Sequence, residues 1–192
     1  MIAGHFGFAA AVKAKAPRAP LWALMLASVW MDVIFVPLFA AGIEPIEKVA
    51  GTRGGYGEGI IHADYTHSLV GALVIAVTFG LVCAIWWRRS VAVVLAAVVF
   101  SHWLLDLPMH RADMPLLPGN AGTLPLLGFG LWRSAVASAL LELALVLGGT
   151  FLYARAAAKV ARTPEDAKRA RTLTFALAGA GLVTLALNLA GQ

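Results

Sequence analysis

Five long apolar runs, separated by short polar segments, leave this chain few ways to fold. They are Leu21–Ala41, Thr66–Trp87, Val91–Leu107, Leu127–Tyr153 and Thr172–Ala190. A bilayer span takes about 20 mostly apolar residues, and lipid accepts only helices or closed barrels because every backbone polar group needs an internal partner. The runs therefore predict an all-α fold: a polytopic membrane helix bundle of about five transmembrane helices. Hydrophobic residues make up 60% of the 192 and charged residues 13%, against roughly 25% charged in a soluble domain. The excess is spread over separate runs, so it is not one buried core helix. No linker or repeat divides the chain, and residues 1–192 read as a single integral membrane domain.

The segment Met1–Ala16 is too short to cross. Two placements fit it: an interfacial helix with a solvated His5, or a re-entrant helix packed against protein. In the second, Lys13 and Lys15 sit at the inner interface and His5 lies about 12–15 Å inside. Asp32, eleven residues past Leu21, then reaches a similar depth. The first run is too long for the apolar part of a signal peptide and contains Asp32, so it reads as uncleaved despite Ala40-Ala41.

The net charge of +5 is patterned. Lys13, Lys15 and Arg18 precede the first run, Arg88 and Arg89 follow the second, and Arg155, Lys159, Arg162, Lys168, Arg169 and Arg171 lie between the fourth and fifth. The segments Gly42–Tyr65 and Pro108–Leu126 carry only Lys48, Arg53 and Arg111. This alternation fits a multi-pass protein of a bacterial inner (cytoplasmic) membrane with its N-terminus inside. It reads as a topology signal, not a nucleic-acid footprint. The lone cysteine, Cys83, has no internal disulfide partner.

Titratable groups in or beside hydrocarbon are costly, and are functional candidates by default. Two clusters adjoin the apolar runs: His62-Ala-Asp64-Tyr-Thr66-His67-Ser68, opening the second, and His102-Trp-Leu-Leu-Asp106-Leu-Pro108-Met-His110, closing the third. The topology puts both at the outer face. His102 and Asp106, at i and i+4, share a helix face. His110 continues that face only if the helix survives Pro108, which disfavours helical geometry at Leu107; otherwise it reaches back from the loop. Histidine with aspartate forms a hard-to-borderline site suited to zinc or a related divalent ion such as Mn or Mg. The candidate ligands are His5, Asp32, His62, His67, His102 and Asp106. Asp64, His110 and Glu142 are candidate catalytic groups.

Simpler roles compete for several of these. Asp64 sits where a helix N-cap would sit, and Thr66 and Ser68 read as caps, not nucleophiles. Asp32 could tie helices together by pairing with Arg133. Glu142, in the fourth run, either faces the centre or braces a ligating imidazole. The loop Gly42–Tyr65, with Gly51, Gly54, Gly55, Gly57 and Gly59, reads as a lid over the site or as a mobile outer loop. The apolar loop with Pro115, Pro118 and Pro125 is expected to pack at the outer interface.

The pattern His62-x-x-x-Thr66-His67-Ser68, followed by His102-x-x-x-Asp106, resembles the YdjM-like, LexA-regulated family of membrane-bound metal-dependent hydrolases. That family opens one span with His-Arg-Gly-x-Thr-His-Ser and carries His-x-x-x-Asp in the next. It also has an N-terminal histidine and an acid in its first span, positions that His5 and Asp32 could fill. The resemblance covers roughly residues 1–110. Ala63 and Asp64 replace the family's Arg-Gly, and Asp32 stands alone where the family has a Pro-Asp-x-Asp cluster.

These readings lead to a metal-dependent hydrolase at the outer face, acting through metal-activated water on an ester or phosphodiester of a lipid or lipid-linked substrate. Two other classes use the same residue types: a transporter or channel component moving protons or metal, and a structural subunit braced by a closed metal site. Clustering at one face favours the enzyme, since a through-pathway needs polar residues in the inner halves of the spans as well.

Overall fold

The computed structural model describes residues 1–49 and 59–190, and they are nearly all helical. The chain runs α1 (Ile2–Lys15), α2 (Leu21–Ser28), α3 (Trp30–Ala40), β1 (Ile46–Lys48), β2 (Gly59–Ile61), α4 (Leu69–Cys83), α5 (Arg89–Asp106), α6 (Ala135–Val160) and α7 (Pro164–Ala190). The two strands form a small antiparallel ribbon with Ile46 opposite Ile61. Of the Gly-rich loop, Gly51, Gly54, Gly55 and Gly57 lie outside the described residues.

The five expected spans are corrected. Among the described residues, three helices are by length and composition able to cross a membrane: α5, α6 and α7. A fourth is available only if α2 and α3, bent by 44° at their junction, count as one broken span. The break falls at Val29, which leaves helical geometry at φ −119°, ψ 12°. The second run is shortened at both ends. Glu44 takes the backbone N–H groups of Tyr65 and Thr66 on one carboxylate oxygen, at 2.7 and 2.8 Å, which draws them out of the helix. Ser68 then caps α4 by accepting from Gly71 N–H, so the cap is Ser68 and not Asp64. Of the 15 residues in α4, each rises about 1.5 Å, giving roughly 22 Å against a hydrocarbon thickness of about 30 Å.

The last two helices keep their type and shift their ends. Left-handed backbone at Gly128 and Gly130 holds residues 127–134 in an irregular loop, and Ser134 caps α6 through Ala137 N–H. The side chain of Thr163 accepts from Asp166 N–H, while Asp166 accepts from Thr163 N–H. This reciprocal capping box, with Pro164 at the first helical position, starts α7 eight residues before Thr172.

α1 is enclosed by protein. It packs chiefly on α6 and also meets α2, α5 and α7. Glycine makes this possible: a Cβ on Gly149 would overlap the carbonyl of Gly7, and one on Gly7 would overlap the carbonyl of Leu145. Such close backbone approach through small residues is the usual way helices pack in lipid. The face with Ala3, Gly4, His5, Gly7, Ala9 and Ala10 is buried, which overturns the interfacial helix with a solvated His5. One core groups α2, α4 and α5 around Leu24, Met31, Leu95 and Val99; a smaller one joins Ala3, Met109, Val146 and Leu185.

Large apolar side chains face outward along every long helix, among them Leu81, Val93, Val136, Leu140, Phe151, Phe175 and Leu187. Water would penalise a surface of this extent, whereas hydrocarbon suits it. Trp22 and Trp87 pack together beside Arg88 and Arg89, the aromatic and basic pairing expected at a membrane interface.

Candidate metal centre

The broken first run supplies the first component. Where α2 ends at Ser28, its carbonyl has no helical partner, and His102 Nδ1 lies 2.8 Å from that oxygen. A carbonyl only accepts, so Nδ1 carries a proton, and in the neutral ring Nε2 presents a lone pair. The break also places Asp32 in the first turn of α3, beside the same imidazole.

His67 is fixed by a longer relay. Glu44, fully buried, accepts from the Thr66 hydroxyl at 2.8 Å as well as from two backbone N–H groups. The single hydroxyl proton is thereby committed to Glu44, so Thr66 Oγ1 accepts from His67 Nδ1 at 2.9 Å. His67 Nε2 is left as a lone pair. Trp103 Nε1 donates to the His67 carbonyl, locking this turn against α5, and Phe35 meets the ring edge-on.

His110 follows the same rule. Its Nδ1 donates to Asp113 Oδ1 at 2.9 Å, while Asp113 Oδ2 accepts from Ile61 N–H. α5 ends at Asp106, yet Leu107 keeps helical angles (φ −54°, ψ −44°) despite Pro108. One more turn forms, with His110 N–H donating to the Asp106 carbonyl, and this carries the imidazole back over Asp106.

Three imidazoles thus point their Nε2 atoms inward, and two carboxylates meet them. His67 Nε2 and His102 Nε2 are 3.3 Å apart, and Asp32 Oδ1 lies 3.7 Å from the first and 3.5 Å from the second. Neighbouring ligands of a tetrahedral ion held at about 2.0–2.2 Å are separated by about 3.3–3.6 Å, so this triangle has the dimensions of a coordination face. Asp106 Oδ2 lies 3.0 Å from His102 Nε2 and 3.8 Å from both His67 Nε2 and His110 Nε2. Without a cation or a proton between them these atoms would repel. The side chains of His67, His102, Asp106 and His110 are almost fully buried, whereas that of Asp32 is 31% exposed.

On the other side of Asp106, His5 Nε2 approaches Oδ1 at 3.1 Å, and its ring stacks on His102 with centroids 3.8 Å apart. Neither His5 nitrogen nor Asp106 Oδ1 has a hydrogen bond of acceptable geometry. Buried polar atoms without partners usually signal an ion or water. Among the described residues, two trios have metal-binding separations: His5, His102 and Asp106, and Asp32, His67 and His102. The donor set fits a divalent cation.

Of the nine residues singled out from sequence, the structure brings together His5, Asp32, His67, His102, Asp106 and His110. Three lie apart. His62 is 41% exposed and meets Glu47 at 3.2 Å, because the ribbon ends one residue earlier and turns it outward. Asp64 offers its backbone carbonyl to Gly119 N–H and belongs to neither trio. Glu142 belongs to neither trio and hydrogen-bonds no imidazole: its Oε2 accepts from Gly4 N–H at 3.0 Å, while Oε1 is buried without a hydrogen bond, and a carboxylate there suits the first turn of a helix. It anchors the end of α1 that carries His5. Asp32 pairs with the two imidazoles and not with Arg133. Sequence reasoning missed Glu44, Asp113 and the Ser28 carbonyl. Asp113 follows His110 at i+3 and was open to discovery by spacing; Glu44 and Ser28 carry no such signal.

The loop after His110 packs on the start of α4, with the carbonyls of Pro115 and Leu116 accepting from Leu69 and Val70 N–H. No protein-family model, curated protein or solved structure matches the chain.

Proposed function

We propose that this chain is a divalent-metal-dependent hydrolase of a bacterial inner membrane, acting on an ester or phosphodiester of a lipid or lipid-linked substrate. One observation carries the reading: three imidazoles held in a single tautomer, each by an acceptor at Nδ1, converge with Asp32 and Asp106. Such outer hydrogen bonds orient ligating histidines and raise their basicity. The resemblance to the YdjM-like family points the same way through His67, His102 and Asp106.

A zinc ion held there would supply a Lewis acid and lower the pKa of water to about 7. The protein's own contribution is orientation and exclusion of water. Asp32 is the partly exposed member of the set, and its neighbours on α3, Val33 and Val36, turn apolar side chains outward. A substrate with an acyl chain can lie along that surface while its polar group meets the metal. The basic residues at the opposite end, Arg88 and Arg89 in particular, support a site in the outer half of the membrane. α1 then enters from the inner side, with Lys13 and Lys15 at its base.

The test is hydrolysis of a phosphodiester, an ester and a phospholipid panel by detergent-purified protein, before and after chelation. Activity that falls on chelation, returns with zinc or manganese, and is lost in His102→Ala supports the reading. Unchanged activity in the metal-free protein refutes it. Metal or proton flux in liposomes, abolished by Asp32→Asn and without hydrolysis, would place the chain among transporters instead.

A further inference from the structure

Asp106 faces two directions, and its two oxygens meet different imidazoles. Oδ2 is 3.0 Å from His102 Nε2 and Oδ1 is 3.1 Å from His5 Nε2. The two rings are nearly parallel, 15° apart, with centroids 3.8 Å apart. The stacked rings therefore each present Nε2 to a different oxygen of a single carboxylate. Ions in two-metal hydrolytic sites are about 3.5–4 Å apart.

His102 has one free lone pair, the other nitrogen being committed to Ser28. That lone pair serves one ion, with His67 and Asp32. His5 Nε2 and Asp106 Oδ1 remain, fully buried and without hydrogen-bond partners. Leaving such atoms unsatisfied inside protein is costly. They face each other at 3.1 Å.

Resting on the metal reading above, we infer that the centre holds two divalent cations bridged by the Asp106 carboxylate: one on His102, His67 and Asp32, the second on His5. His110 approaches Asp106 from the Oδ2 side and belongs with the first ion. The pairing suits a phosphodiester, since two ions can hold both the attacking and the leaving oxygen.

The experiment is a Mn²⁺ titration of chelator-dialysed full-length protein, followed by elemental analysis and electron paramagnetic resonance. Two Mn²⁺ per chain with a spin-coupled spectrum are expected for the native protein, and one uncoupled Mn²⁺ for His5→Gln and His5→Ala, each checked for folding by its thermal melt. A native protein that binds one uncoupled Mn²⁺ overturns the two-ion centre and leaves the metal-dependent reading intact. Binding of none overturns both. Two coupled ions in a folded His5 variant overturn the assignment of His5. The native stoichiometry decides the matter even where neither variant folds.

Discussion

The two sides of Asp106 are built differently. On one side His67, His102 and His110 each have Nδ1 held by an acceptor: the Thr66–Glu44 relay, the Ser28 carbonyl and Asp113. On the other, His5 has neither nitrogen hydrogen-bonded; it is stacked on His102 and carried by a helix that is seated on α6 and held there through Gly4 by Glu142. The first side fixes its ligands by hydrogen bonds made at the breaks between helices. The second depends on how closely two backbones approach at Gly7 and Gly149. Rigid ligation and adjustable ligation thus meet at one carboxylate.

Several substitutions would break or sharpen that contrast. Asp106→Asn removes the group common to both sides and is expected to abolish metal retention after dialysis, as read by elemental analysis. Thr66→Val cuts the relay to Glu44 and frees the His67 ring, and loss of such an outer partner typically costs 10–100-fold in metal affinity; competition with a fluorescent chelator measures it. Asp113→Asn should fall in the same range or below it, because His110 stands farther from Asp106 than His102 does. Gly149→Ala forces α1 off α6, with an overpacking cost of about 1–3 kcal/mol; the lower melting temperature should come with weakened binding on the His5 side only. His62→Ala should leave both affinity and melting temperature unchanged. A large effect there would mean that the ribbon closes onto the site.

The sequence made helix type and site membership legible to different degrees. Apolar runs announced helices wherever the run was uninterrupted, as in α5. They misplaced ends where a distant side chain intervened: nothing near Thr66 signals that Glu44, more than twenty residues earlier, takes its N–H. The break at Val29 has no proline or glycine to mark it, yet it frees the Ser28 carbonyl for His102. Capping at Thr163 was present as Thr-Pro-Glu-Asp and marks α7 correctly once read as a box. Residue type and helical spacing identified His102 with Asp106, and depth along α1 and the first run brought His5 and Asp32 to them. Spacing also promoted His62, since proximity in sequence does not tell which way a strand end turns its side chain. Glu142 stands out in sequence as an acid within the fourth apolar run, but its partner is a backbone amide of α1, an assignment that needs the tertiary contact between α1 and α6.

The claim that these imidazoles and carboxylates form a metal centre is tested most directly by elemental analysis of purified protein reloaded with zinc and dialysed, beside folded His102→Gln. The account predicts at least one tightly held divalent ion per chain in the native protein and loss of binding in the variant. A native protein that retains no metal, or a variant that retains it undiminished, would contradict it.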